Sequence, residues 1–216
     1  NLTFRVSDSE PLHVDRTFTL TVNAVNDAPA ITSISNQTVK SDASINVNYT
    51  ISDIDSSLNC NAAISVSSSN TSVLPNADIS KSGTAPNCTL TITPSLNIAG
   101  TSSVTVTVND GAATANTSFN VGVISVTALS VQANSLNLAV SGTAQLSATA
   151  SYSDSSTQVV TSSTGISWSS SNASVASVDN AASKGLVTGV AAGSANISAT
   201  YEGITSNTSA VTVISA

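Results

Sequence analysis

The sequence predicts an all-β chain of tandem sandwiches, on three observations. Apolar and polar residues alternate along short segments, and Gly, Pro, Asn, Asp and Ser bound those segments. In addition, one strand-turn-strand pattern occurs twice: residues 2–29 read LTFRVSDSEPLHVDRTFTLTVNAVNDAP and residues 104–128 read VTVTVNDGAATANTSFNVGVISVTA. In both copies an alternating strand runs into an Asp (Asp8, Asp110), turns, and returns through a strand containing Phe18 or Phe119. Period-two alternation between turn residues is the signature of half-buried strands, and self-similarity at a fixed spacing is that of an array.

Composition agrees. Charged residues are 8% of the 216, aromatics 3%, and Met is absent. Ser, Thr, Asn, Ala and Val suit pleated strands and polar turns, whereas helices favour Leu, Glu, Lys and Arg. Twelve acids against five bases give a net charge of -7, which lacks the basic footprint that nucleic acid or an anionic membrane requires. No apolar run reaches the roughly eighteen residues of a membrane span, so no membrane insertion by this segment is expected. The chain starts inside a strand pattern without signal-peptide features and reads as a segment of a longer protein.

Three segments follow in order. Residues 1–27 hold only the alternating runs Leu2/Phe4/Val6 and Phe18/Leu20/Val22, each expected to form an inward face. An isolated hairpin is marginal in water, so these residues are expected to be the last two strands of a sandwich completed in cis or by another chain. Residues 28–126 carry Ile45/Val47/Tyr49/Ile51, Ile64/Val66, Leu90/Ile92, Val104/Val106/Val108 and Phe119/Val121/Val123, with turn signals between them. Five or more short strands in about 100 residues argue an immunoglobulin-like sandwich. Residues 127–216 repeat this logic with Leu146/Ala148/Ala150/Tyr152, Ile166/Trp168, Ala195/Ile197/Ala199/Tyr201 and Val211/Val213.

Cys60 shares strand parity with Ala62, Ile64 and Val66, and Cys88 with Leu90 and Ile92, so both thiols are expected to face one core. A Cys60–Cys88 disulfide is the expectation, and with it an oxidising compartment. The other reading is two reduced thiols packed as small hydrophobes.

Family resemblance then becomes specific. The stretches FTLTVNAVNDAP, SDIDSS, SSSNTSVLPNADI, LTITPSLNIAGTSSVTVTVNDG and SFNV resemble the cadherin-like, VNDAP-type repeats of large bacterial surface proteins, over residues 1 to about 125. ISWSSSNASVASVD, KGLVTGVAAGSANISATYEG and AVTV resemble bacterial Ig-like group 2 domains, over about 128–214. Such domains occur in intimin- and invasin-type adhesins and in some phage tail proteins. The resemblance implies display and spacing rather than a chemistry, since these folds host many functions.

Calcium is the best candidate for a bound cofactor. A hard cation needs several oxygen ligands converging on one point. With the strands lettered as in immunoglobulin sandwiches, Asp53 and Asp55 fall in the B to C loop and Asp110 in the F to G loop. Both loops lie at the end that receives the linker bearing Asn26 and Asp27, so four carboxylates and an amide oxygen are expected to meet there, as in cadherins. The other reading is that Asn, Asp and Pro simply make turns. Asp8 and Glu10 would serve an upstream joint. The second joint offers Ser125 and Thr127 from the linker with scattered Asp154 and Glu202, and is expected to depend on apolar contact around Val126 and Leu129.

Enzyme chemistry is not expected. His13 is the sole histidine, in a hairpin without a nucleophile elbow. One histidine and two paired cysteines do not make a usual zinc set. Trp168 has core parity, which favours packing over sugar stacking. Nine Asn-x-Ser/Thr sequons are compatible with surface glycosylation, but many arise by chance in so Asn/Ser/Thr-rich a chain. The expected function is a stalk or cell-adhesion array of an extracellular, cell-surface protein. Its partners would be neighbouring domains or copies and a cell-surface or glycan receptor. The alternatives are a filament or tail-fibre subunit assembled by strand complementation, and a carbohydrate-binding or spacer module of a secreted enzyme.

Overall fold

Strand alternation dictates the architecture of the computed structural model, which describes residues 2–9, 13–132 and 135–215. Glu10 lies outside the described residues. An N-terminal hairpin comprises β1 (Leu2–Ser7) and β2 (His13–Phe18). The first sandwich contains β3 (Ala30–Ile31), β4 (Gln37–Lys40), β5 (Ile45–Ser52), β6 (Ile64–Ser68), β7 (Ile79–Thr84), β8 (Asn87–Ile92), β9 (Gly100–Asn109) and β10 (Thr114–Ile124). The second contains β11 (Val126–Val131), β12 (Leu136–Ala139), β13 (Thr143–Gln145), β14 (Ala148–Tyr152), β15 (Thr157–Val159), β16 (Ser167–Ser170), β17 (Ala176–Val178), β18 (Leu186–Gly189), β19 (Gly193–Tyr201), β20 (Ile204–Thr205) and β21 (Ser209–Ile214).

In the first sandwich the sheet β4-β10-β9-β6 packs on the sheet β3-β5-β8-β7. Successive side chains point to opposite faces, so Val104, Val106 and Val108 of β9 and Phe119, Val121 and Val123 of β10 all turn inward and are buried. They meet Val47, Tyr49 and Ile51 of β5 and Cys88, Leu90 and Ile92 of β8 in one core. Cys60 and Cys88 form a disulfide in this core, with Cα atoms 5.5 Å apart. Cys60 sits in the turn before β6 rather than in a strand. The second sandwich closes around Leu146, Ala148, Ala150, Tyr152, Trp168, Ile197 and Val211. Trp168 is buried and donates its indole N–H to the Thr161 carbonyl at 3.3 Å.

Each sandwich pairs a strand near its N-terminus in parallel with its last strand: Gln37–Lys40 lie beside Val121–Ile124, and Leu136–Ala139 beside Val211–Ile214. Their neighbours are antiparallel, as in β9 with β10 and β19 with β21.

The hairpin reproduces the register of β9 and β10. Leu2 pairs with Phe18 and Val6 with Val14, as Val104 pairs with Phe119 and Val108 with Ala115. Leu2, Phe4, Val6, Val14 and Phe18 therefore share one face, and the rings of Phe4 and Phe18 stack with centroids 5.8 Å apart. This corrects the assignment of Phe18, Leu20 and Val22 to one strand face. Strand β2 ends at Phe18, and Leu20 and Val22 lie beyond it. Phe4 is 65% and Val6 74% exposed, so the described residues leave this face uncovered.

Candidate functional site: the two interdomain joints

The first joint is built by Asx turns. Asp53 follows β5, and its Oδ1 accepts the backbone N–H groups of Asp55 and Ser56 at 3.0 and 2.8 Å. Asp110 follows β9, and its Oδ1 accepts from the N–H groups of Ala112 and Ala113, both at 2.7 Å. Short polar side chains bonding to backbone two or three residues ahead are what stop these strands and reverse the chain. Both loops emerge at the end where the linker arrives. Asn26 Nδ2 donates to Asp110 Oδ2 at 3.0 Å, and the Asp27 N–H donates to Asp55 Oδ2 at 3.0 Å. The linker is thus docked on both acid-bearing loops.

The five residues Asn26, Asp27, Asp53, Asp55 and Asp110 stand as two linked pairs plus Asp53, whose Oδ2 is buried without a hydrogen-bond partner. Among the described residues no three acidic, His or Cys side chains are gathered closely enough to hold a metal ion. The orphaned Asp53 oxygen and its neighbouring carboxylates are hard oxygen donors, but the described geometry does not bring them to one point. The Asp110 carboxyl is held below the usual carboxylate range by the Ala113 and Ala112 N–H groups and then by Asn26.

At the second joint, β10 passes into β11 through a single buried residue, Ser125. The Ser125 carbonyl accepts from the Ser153 N–H at 2.9 Å, while the Ser41 N–H donates to the Ile124 carbonyl at 2.8 Å. Val126 and Leu129 belong to the second sandwich's own core, and Ile124 is the apolar side chain that reaches it from the first. Polar groups do the rest of the bridging, which differs from the apolar joint expected. Lys40 Nζ donates to Gln158 Oε1 and lies 4.2 Å from the centroid of the Tyr152 ring. Tyr201 Oη donates to Asp42 Oδ2 at 2.7 Å, and Ser41 Oγ donates to Glu202 Oε2 at 3.1 Å. Asp154 instead caps its own turn, accepting from Ser156 Oγ at 2.6 Å. The Lys40-Ser41-Asp42 turn was not singled out from sequence. Its signal in the sequence is two opposite charges, Lys40 and Asp42, one residue apart before an alternating run.

The other candidates are quickly described. His13 is exposed opposite Ser7, with Nε2 3.9 Å from Asp15 Oδ2, but Arg5 holds the Asp15 carboxylate through two 2.8 Å bonds. Asp8 lies just beyond β1, at the hairpin's turn end.

Comparison with known proteins agrees with this architecture. Residues 26–122 match the family model of a bacterial Ig domain, and residues 125–213 match that of the bacterial Ig-like domain (group 2). The chain is a tandem of two bacterial Ig-like domains. Among solved structures it is similar to domains 1–6 of the surface layer protein SbsC, at 16% identity and a TM-score of 0.44, covering 94% of this chain and 30% of that one. It is also similar to the I9–I11 tandem of titin, at 12% identity and a TM-score of 0.46, covering 87% of this chain and 66% of that one. A search of curated proteins finds no match. No helix among the described residues is long and apolar enough to cross a membrane.

Proposed function

We propose that this chain is a segment of a long extracellular bacterial surface protein, serving as a stalk or adhesive array in which the sandwiches carry tension and the joints set reach and stiffness. The parallel pairing of an N-terminal strand with the last strand of each sandwich carries this reading. Pulling the two ends of such a domain apart loads all hydrogen bonds of that pair together, in shear, instead of one after another. The docked linkers at both joints pass that load from module to module. Calcium at the first joint is part of the proposal, with Asn26, Asp27, Asp53, Asp55 and Asp110 as its holders. A bound ion would supply a cross-link between the linker and the two loops. The cadherin-like resemblance of residues 1–125 supports the same role, with neighbouring domains or copies and a cell-surface or glycan receptor as partners.

Stretching the whole chain by its ends tests the mechanical reading. Two discrete unfolding events are expected, each releasing about ninety residues at up to ~3.6 Å per residue. The oxidised first sandwich should release less, by the sequence separation of 28 that the Cys60–Cys88 bond closes off, and should recover that length on reduction. Gradual yielding without discrete events would overturn the reading.

A filament subunit is the second reading, favoured by the exposed face of Leu2, Phe4, Val6, Val14 and Phe18. The equivalent face of β9 and β10 is covered by β5 and β8, so strand donation into a neighbour's open sandwich would bury it in the same way. Sedimentation distinguishes the two: concentration-dependent polymers that Phe4→Ser dissolves support the filament, and a monomer supports the stalk.

A further inference from the structure

The turn joining β19 to β20 has two central residues, Glu202 and Gly203, and both have positive φ, 47° and 74°. This is the pattern of a type I′ hairpin, in which Asn, Asp or Gly is the inexpensive choice at the first position and Glu is not. The chain nevertheless has Glu there, and its carboxyl is directed at the second joint, where Oε2 accepts from Ser41 Oγ. The other oxygen, Oε1, is buried and meets no hydrogen-bond donor.

Charge around this carboxyl is unbalanced. It faces Asp42 of the β4–β5 turn, which already accepts from Tyr201 Oη, and Lys40 at the end of β4, whose ammonium is engaged by Gln158 and the Tyr152 ring. From β19 comes Tyr201, which in turn lies near Tyr152 of β14. Asp154, on the loop after β14, draws on the same lysine, and Lys184 is tied to the Ser163 carbonyl at 2.9 Å. One engaged cation thus serves several acids. An ionised Glu202 would leave a buried oxygen unpaired beside the Asp42 carboxylate, whereas a protonated one has an O–H to offer.

We infer that the second joint is an acid-favoured clasp: Glu202 is protonated when the sandwiches are docked against Asp42, and its ionisation loosens the docking. Burial, then the charge of Asp42, pushes the Glu202 carboxyl above its ordinary value, and the Ser41 bond and Lys40 only partly oppose this. The docked form binds the proton more tightly than the undocked form. Its advantage is therefore complete below the ordinary glutamate value and disappears as pH rises through the raised value. Stiffness at this joint is then set by the acidity of the surroundings.

Residual dipolar couplings of the whole chain, measured from about pH 4 to about pH 8, across the range in which a raised carboxyl titrates, test this. In acid one alignment tensor should describe both sandwiches, and toward neutral pH that shared tensor should be lost. Glu202→Gln cannot ionise and should retain the shared tensor throughout. Asp42→Asn removes the opposing charge and should move the Glu202 carboxyl midpoint, followed by carbon NMR, to lower pH. A wild-type tensor relation that does not change with pH would overturn the inference, as would a Glu202→Gln profile identical to wild type. Should Glu202→Gln fail to fold, a wild-type Glu202 midpoint at or below about 4.3, the ordinary glutamate value, would have the same force.

Discussion

Asn26 Nδ2 donates a hydrogen bond to Asp110 Oδ2 at 3.0 Å, joining residues 84 apart in sequence. The same carboxylate accepts the Ala112 and Ala113 N–H groups, so one acid both closes the β9–β10 turn and docks the arriving linker. Those three donors depress its pKa, and a depressed carboxyl contributes above its ordinary value and ceases to contribute as pH falls through the lowered one. The first joint should therefore loosen in acid, opposite to the second. The Asn26 side-chain amide resonances should shift as Asp110 protonates and should lose that response in Asp110→Ala. Asn26 signals that do not change through the acid range would contradict the assignment.

Calcium titration should separate the joints as well. Asp53, Asp55 and Asp110 face the Asn26–Asp27 linker at the first, whereas at the second Lys40 already stands among the acids. Calorimetry on the whole chain should find calcium binding that Asp53→Asn with Asp55→Asn abolishes and that Glu202→Gln leaves unchanged. Persistence of the heat in the Asp53/Asp55 variant would remove calcium from the first joint.

The two cores should respond independently. Leu90 is fully buried in the first sandwich, and Leu90→Ala should cost about 2–5 kcal/mol there. Removing the disulfide with Cys60→Ala and Cys88→Ala should cost about 3 kcal/mol by the loop-entropy model. Denaturant unfolding followed at Trp168, which lies in the second sandwich, should report neither loss in full. Backbone NMR signals of residues 28–124 should report both. A Trp168 transition that moves as far as the first sandwich's own would show the two domains unfolding as one unit.

The long strands were legible because alternation is a local property: the pleat turns Val104, Val106 and Val108 to one side whatever the rest of the chain does. The position of Asp53, Asp55 and Asp110 at one end was legible for a related reason, since turns at matched ends of successive strands share a pole. Short strands were not legible. β17 and β18 are three and four residues long, too few to establish a period, yet Val187 of β18 is fully buried. Leu74 and Val73 lie in what reads as a turn and are covered only when β9 returns over them, as the close approach of Gly100 to Val73 records.

By itself the sequence determined that this protein is all-β, that its hairpin repeats β9 and β10, and which side chains of the long strands enter each core, because period and parity belong to the strand. Only the tertiary structure decided that Asp42 meets Tyr201 across 159 residues and that Glu202 faces the joint rather than water. Those contacts depend on the angle at which one sandwich sits on the next. That angle is set by Ser125 and the surrounding loops acting together, and no periodic pattern encodes it.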